Sequence, residues 1–269
     1  MLRDRILTAT VLACLLLASL FLLPARWTVL AFGAAFVVGG WEWARFGGLG
    51  SVAARTGYAV VIGGCLALAW RWADAPARLV ELLRLSCAWW GLAFLWLSLA
   101  PGRHRPLLTL FCGLPVLVPA FAALARLRMG HGIASGPEAV LWLFLLVFGA
   151  DIGAFFVGRR FGRAKLAPRV SPSKTWEGAI GGMLVVAAIA WAAAWRFALP
   201  TATAVGFGCA VGLFSIVGDL TESMFKRSAG LKDSGALLPG HGGILDRIDS
   251  ILAAAPLYVL GLFSAGLFT

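Results

Sequence analysis

The sequence is dominated by long apolar runs that short polar connections separate. A run of about 20 apolar residues can cross a bilayer as a helix, in which the backbone satisfies its own hydrogen bonds. Of the 269 residues, 61% are hydrophobic and only 13% are charged, and the mean hydropathy is +0.90. A soluble domain typically has about a quarter of its residues charged. We therefore predict an all-α, polytopic integral membrane protein.

The apolar runs predict about nine transmembrane helices. The first run is longer than the core of a usual signal peptide, so we expect a retained helix rather than a cleaved leader. No internal repeat and no soluble domain are visible between the runs. The predicted spans lie near residues 6–23, 27–44, 57–72, 79–99, 106–125, 138–158, 176–198, 201–225 and 244–267.

The positions of Lys and Arg predict the orientation in the membrane. With the N-terminus in the cytoplasm, 16 of the 23 basic residues fall on the cytoplasmic side, which is the side that positive charge favours. The polar loops 159–175 and 226–243 then share the cytoplasmic face.

We divide the chain into N-terminal spans, 1–137, which serve as a scaffold, a dimerisation surface or a lipid cavity, and a catalytic region, 138–269. The net charge of +11 lies in short connections, so we expect anionic lipid or a phosphorylated substrate and no nucleic acid.

One stretch, 215–250, holds five of the twelve acidic residues. Asp219, Glu222, Ser223 and Lys226 follow the spacing i, i+3, i+4 and i+7, so they share one face of a helix. Charged side chains inside apolar runs are costly and usually mark a functional site. The alternative is a self-neutralising polar seam between helices.

Asp246 and Asp249 repeat the i, i+3 carboxylate spacing at the start of the next run. Two helices that bring carboxylates to the same depth would form an oxygen-rich site for a hard cation. We therefore predict a site for Mg²⁺ or a similar hard cation, with a second cation left open. Asp219 and Asp246 are its expected inner-sphere ligands, and Asp249 and Glu222 complete the predicted metal-binding set close by.

Two polar segments have features of an anion site. The loop between the acidic runs contains Lys232 and the sequence 239–243, Pro-Gly-His-Gly-Gly, and a helix begins near Ile244. Glycines let backbone N–H groups turn toward an anion, and a helix N-terminus adds positive potential. The second segment, 171–175, brings hydroxyls and a lysine to another helix start. Asp151 is an isolated carboxylate that we expect in the wall of the same cavity. The chain lacks the GxxxxGK[ST] and HExxH motifs.

Between Asp151 and Asp249 the sequence resembles the CDP-diacylglycerol synthases (phosphatidate cytidylyltransferases). The strings that carry the resemblance are Ser171-Pro172-x-Lys174-Thr175-Trp176-Glu177-Gly178, Gly218-Asp219-Leu220-x-Glu222-Ser223-x-x-Lys226-Arg227, Lys232-Asp233 and the run from Pro239 to Asp249. Ser173 departs from the pattern, because many relatives have lysine there. The first 137 residues resemble the family only as a series of apolar spans.

The resemblance implies that CMP is transferred from CTP to phosphatidic acid, which gives CDP-diacylglycerol and pyrophosphate with Mg²⁺. It also implies a multi-pass protein of the inner (cytoplasmic) membrane with its active site facing the cytoplasm. The implied catalytic residues are Asp219, Asp246, Lys226, Lys232, Asp233 and His241. The implied substrate-binding residues are Ser171, Lys174, Thr175, Ser223, Arg227, Gly242, Gly243 and Arg247.

Two other functions stay open from the sequence. An ion transporter would also place carboxylates and bases at mid-membrane, although often with inverted repeats. A CTP-dependent lipid kinase of related fold would use the same nucleotide and metal but move the terminal phosphate. The CDP-alcohol phosphatidyltransferases fit less well, because their Asp-Gly-x-x-Ala-Arg opening is missing. Association into a homodimer is also left open.

Overall fold

The apolar runs form helices separated by short connections. The computed structural model describes residues 2–102, 105–132, 134–238, 240 and 242–268, with side chains from residue 7 onward. These residues form nine α-helices and one two-stranded antiparallel hairpin. The elements are α1 (Leu2–Phe21), α2 (Ala25–Phe46), α3 (Val52–Trp72), α4 (Pro76–Leu99), α5 (Pro106–Met129), α6 (Gly136–Phe161), β1 (Lys165–Ala167), β2 (Ser171–Thr175), α7 (Trp176–Phe197), α8 (Thr201–Ser228) and α9 (Leu245–Ser264).

Seven helices within the described residues, α3 to α9, are long and apolar enough to cross a membrane. The part of α1 with described side chains, Leu7–Phe21, is a shorter apolar helix, and α2 carries Glu42 and Arg45 near its C-terminal end. The prediction of an all-α, polytopic membrane protein is confirmed.

Prolines and hydroxyl side chains mark several helix starts. Pro76 and Pro106 are each the first residue of a helix. A backbone N–H at this position has no acceptor within the helix, so the N–H that proline lacks costs no hydrogen bond. Ser51 and Thr175 are N-caps whose hydroxyls accept from Ala54 N at 3.2 Å and Gly178 N at 3.1 Å. Local sequence therefore accounts for these boundaries.

Helices α5 and α9 lie at the centre of the packing. α5 contacts α2, α3 and α9, while α9 contacts α4 and α8. Large apolar side chains cover the outside, among them Leu99 at 81% exposed and Trp195 at 77%. An apolar exterior of this kind is suited to lipid rather than water.

Helices α6 and α7 pack with their backbones in contact. A Cβ added to Gly153 would lie 2.8 Å from the carbonyl oxygen of Gly181, and one added to Gly178 would lie 2.9 Å from that of Ala154. Small residues at such positions let membrane helices approach closely. This contact sets α7 firmly beside α6.

The two polar loops are shorter than predicted. α6 continues through Arg159 and Arg160, and α8 continues through Lys226 and Arg227. Basic side chains are favourable at the C-terminal end of a helix, where the helix dipole is negative. Their long aliphatic portions can lie along apolar surface while the charged groups reach beyond it. The remaining connections are 162–175 and 229–244. The first contains the β1–β2 hairpin, with Lys165 opposite Thr175, which the sequence did not predict.

Candidate active site

Lys226 is the centre of a buried charged cluster between α8 and α9. Its Nζ lies 2.6 Å from Asp246 Oδ1 and 3.3 Å from Glu222 Oε2. The three side chains are only 9%, 7% and 2% exposed, respectively. The i, i+4 spacing of Glu222 and Lys226 confirms the polar stripe on one face of α8. Because buried charges must be compensated, the lysine stabilises both carboxylates.

Glu222 also meets Asp249, so carboxylates of the two helices face each other. The side chains are in contact, and among the described residues the cationic partner of the Glu222 carboxylate is Lys226, 3.3 Å from Oε2. Gly218 permits this approach, because a Cβ there would lie 2.6 Å from the carbonyl oxygen of Asp249. The contact leaves buried oxygens that can accept a cation.

Asp219 connects the hairpin to α8. Lys174 of β2 forms an ion pair with Asp219 Oδ2, and the hydroxyl of Ser223 donates to Asp219 Oδ1 at 3.3 Å. The side chains of Lys174 and Asp219 are 27% and 22% exposed. This part of the site is therefore accessible from outside.

Asp151 of α6 belongs to the same charged region. It lies within electrostatic range of Asp219, Asp249, Lys174 and Arg247. The site thus draws charged groups from α6, β2, α8 and α9, as the sequence predicts for the region from Asp151 to Asp249.

Asp246 organises the connection that precedes α9. Its Oδ2 accepts from the backbone N–H groups of Ser234 and Gly243 and from the Ser234 hydroxyl, each at 2.9 Å. With Lys226 on Oδ1, both carboxylate oxygens are engaged. A ligand role for Asp246 toward Mg²⁺ requires a cation to replace one of these contacts.

The remaining predicted residues fall into two groups. Four of them, Lys232, Asp233, Arg227 and Arg247, are exposed. Arg227 Nε donates to Val170 O at 3.5 Å, which connects the C-terminal end of α8 to the first polar loop. Ser171 is half-buried in β2, Thr175 is a buried cap of α7, and Gly242 has a positive φ of 78°. Gly243 is buried. His241 lies outside the described residues, so its predicted role stays a prediction.

Sequence reasoning missed two side chains that α2 brings to this site. Glu42 is 0% exposed and accepts from Leu245 N at 2.8 Å, from Ile244 N at 3.2 Å and from Ser234 Oγ at 3.0 Å. Arg45 Nη1 donates to Ser234 O at 2.8 Å. The signal that could have found Glu42 is the same one that marked Asp151, an isolated acid in an apolar run.

The described residues give mixed support for a metal site. The buried carboxylate oxygens of Glu222, close to Asp249, are of the kind that a hard cation prefers. However, no group of three or more His, Cys, Asp or Glu among the described residues is arranged to hold a metal ion. Lysine ammonium groups neutralise Asp219 and Asp246 instead. The Mg²⁺ site therefore stays a prediction.

Fold and site together define a polytopic membrane protein with a buried acid–base cluster at the ends of its C-terminal helices. The chain belongs to the cytidylyltransferase family, whose model matches residues 3–264. This confirms the resemblance seen in the sequence.

Two relatives that match over nearly their full length are named phosphatidate cytidylyltransferase, and so is a third that matches over a shorter region. The chain is 39% identical to a phosphatidate cytidylyltransferase of Haemophilus influenzae over 282 residues, covering 96% of this chain and 97% of the relative. It is 42% identical to one of Pseudomonas aeruginosa over 279 residues, covering 99% and 98%. A third, from Synechocystis, is 48% identical over 127 residues, which is 46% of this chain and 42% of the relative.

Proposed function

We propose that the protein transfers CMP from CTP to phosphatidic acid, forming CDP-diacylglycerol and pyrophosphate. The observation that carries the proposal is the charged cluster itself: Lys226 between Asp246 and Glu222, and Lys174 on Asp219, inside a membrane-spanning fold. A phospholipid substrate explains why such a site lies on membrane helices. The names of the full-length relatives support the same reaction.

The reaction requires charge neutralisation more than proton transfer. A phosphate oxygen of phosphatidic acid attacks the α-phosphorus of CTP, a new P–O bond forms, and the bond to the β-phosphate breaks as pyrophosphate leaves. The attacking phosphate is a phosphate monoester, which already carries negative charge near neutral pH, as phosphorylated side chains do. Positive groups that are fixed beside the reacting phosphates lower the barrier by preorganised electrostatic stabilisation.

The basic residues have distinct positions for this task. Lys174 lies at the accessible part of the site, whereas Lys226 is buried between carboxylates. Arg227 at the C-terminal end of α8 and Lys232 on the connection that follows are exposed and can meet the triphosphate. Bound Mg²⁺ would neutralise phosphate oxygens and align the leaving group. Asp219, Glu222, Asp246 and Asp249 are its proposed ligands.

The proposed location is the inner membrane, with the N-terminus and the site in the cytoplasm, where CTP is found. The distribution of basic residues supports this orientation. A cysteine introduced at exposed Ser173 should react with a membrane-impermeant maleimide in inverted vesicles and not in intact cells. The mass of the purified protein in detergent tests whether the protein forms the homodimer that the sequence leaves open.

The decisive experiment follows the label from CTP. Purified protein is incubated with phosphatidic acid, Mg²⁺ and CTP labelled with ³²P at either the α or the γ position. Cytidylyl transfer places only the α label in the lipid fraction and releases pyrophosphate, whereas a lipid kinase transfers only the γ label and releases CDP. Lipid that contains neither label would contradict both enzymatic functions and favour the transporter.

A further inference from the structure

Glu42 holds the start of α9 from a distant helix. Its two carboxylate oxygens accept from Ile244 N and Leu245 N, at 3.2 and 2.8 Å. The first N–H groups of a helix have no partner within the helix, and negative charge is favourable there. A glutamate of α2 therefore supplies an N-terminal cap that the local sequence of α9 does not provide.

The same carboxylate is connected to the charged cluster through Ser234. The Ser234 hydroxyl is 3.0 Å from Glu42 Oε2 and 2.9 Å from Asp246 Oδ2, so the two acids share its single proton. Arg45, one turn further along α2, binds the Ser234 carbonyl at 2.8 Å. Ser234 is 0% exposed, which means that α2 holds both its hydroxyl and its carbonyl in a buried position.

Two glycines make room for Glu42. A Cβ on Gly235 would overlap the Glu42 carboxylate, and one on Gly243 would overlap both that carboxylate and the Ser234 hydroxyl. The Gly243 position, which the sequence predicts to contact an anionic substrate, therefore also has a steric requirement. The anion closest to it in this structure is a side chain of the protein itself.

We propose that Glu42 is a positioning residue for cytidylyl transfer. It sets the connection before α9 through Ser234 and the first N–H groups of α9, and thereby places Asp246 against Lys226. The N-terminal spans are then part of the catalytic unit as well as its scaffold. This inference rests on the proposed function for its kinetic part, whereas its structural part is independent of the reaction.

The test compares Glu42→Gln with Glu138→Gln. Glutamine keeps the shape of Glu42 but retains one acceptor oxygen, and its NH₂ group meets a backbone N–H. Glu138 also forms an interhelical ion pair, with Arg196 at 2.7 Å, and serves as the matched control. We expect kcat of the Glu42 variant to fall about tenfold or more, with KM for CTP and lipid changed less than about threefold. The control should keep the wild-type kcat.

Hydrogen exchange of the substrate-free protein provides the readout that separates positioning from general instability. We expect faster exchange in the first turn of α9 in the Glu42→Gln variant and unchanged exchange in α6 and α7. The proposal would be overturned if the Glu42→Gln variant had the same kcat and the same hydrogen exchange as the wild type. Faster exchange throughout the variant would also overturn it. If the wild-type protein transfers no label from CTP, the proposed function is wrong. The hydrogen-exchange result still tests whether Glu42 caps α9.

Ser234→Ala keeps the proposal testable if the Glu42 variant does not fold. It removes the shared hydroxyl and leaves the cap on α9. We expect a lower kcat for Ser234→Ala by itself. Where Glu42→Gln folds, the double variant should be no worse than Glu42→Gln alone, because both changes break one connection. An unchanged kcat in Ser234→Ala, or fully additive losses, would contradict a route through Ser234.

Discussion

Replacing Lys226 by Met tests whether the buried lysine holds the carboxylate cluster together. At an effective dielectric of about 20, its contacts at 2.6 and 3.3 Å correspond to attractions of ~6 kcal/mol with Asp246 and ~5 kcal/mol with Glu222. Desolvation of the ammonium offsets much of this. Removing one partner of a buried pair typically destabilises a protein by ~3–5 kcal/mol, and we expect a loss of this size.

Thermal unfolding in a single detergent, together with initial rates, measures this loss. Lys165→Met removes the same charge from an exposed position on β1 and should change the unfolding temperature little. Adding Glu222→Gln to Lys226→Met should restore part of the stability, because one buried carboxylate is no longer uncompensated, but it should not restore activity. An unfolding temperature for Lys226→Met equal to that of Lys165→Met, or a further loss on adding Glu222→Gln, would refute this reasoning.

Three further predictions concern neighbouring parts of the site. Lys174→Met should lower kcat/KM for CTP at least about tenfold but cost less than about 1 kcal/mol of stability, because its ion pair is partly exposed. Initial rates and thermal unfolding of the same samples measure both, and a loss of stability as strong as the loss of activity would contradict the prediction. Gly243→Ala should lower kcat about tenfold because its Cβ overlaps buried polar groups, whereas Gly64→Ala, with no neighbour within 4 Å, should remain active; equal rates would argue against the packed arrangement. EDTA should abolish activity and added Mg²⁺ restore it, but not in Asp219→Asn. Full activity in EDTA would disprove the metal requirement.

The sequence predicts those features that depend on short-range periodicity. Apolar runs indicate the spanning helices, and the i, i+3 and i+4 spacing places Glu222 and Lys226 on one face of α8, as observed. The loop boundaries were less accurate, because Arg159 and Lys226 extend helices that a search for apolar residues ends too early.

Contacts between distant segments could not be predicted in this way. Glu42 and Leu245 are 203 residues apart, and helical periodicity says nothing about which helices become neighbours. The β1–β2 hairpin depends on the same kind of information, since its three- and five-residue strands are too short for a periodic signal. What the sequence does show is that a carboxylate in an apolar run requires a partner.

The backbone contact between α6 and α7 has a consequence for how the protein is assembled during synthesis. Gly153 and Gly178 lie on consecutive helices joined by a short hairpin, so their contact closes only a small loop. The pair can form in the bilayer once α7 has left the ribosome, before α8 and α9 have emerged from it. Lys174 is then already in place at the end of this helix pair. The acidic residues of α8 and α9 therefore enter the membrane next to a positive charge.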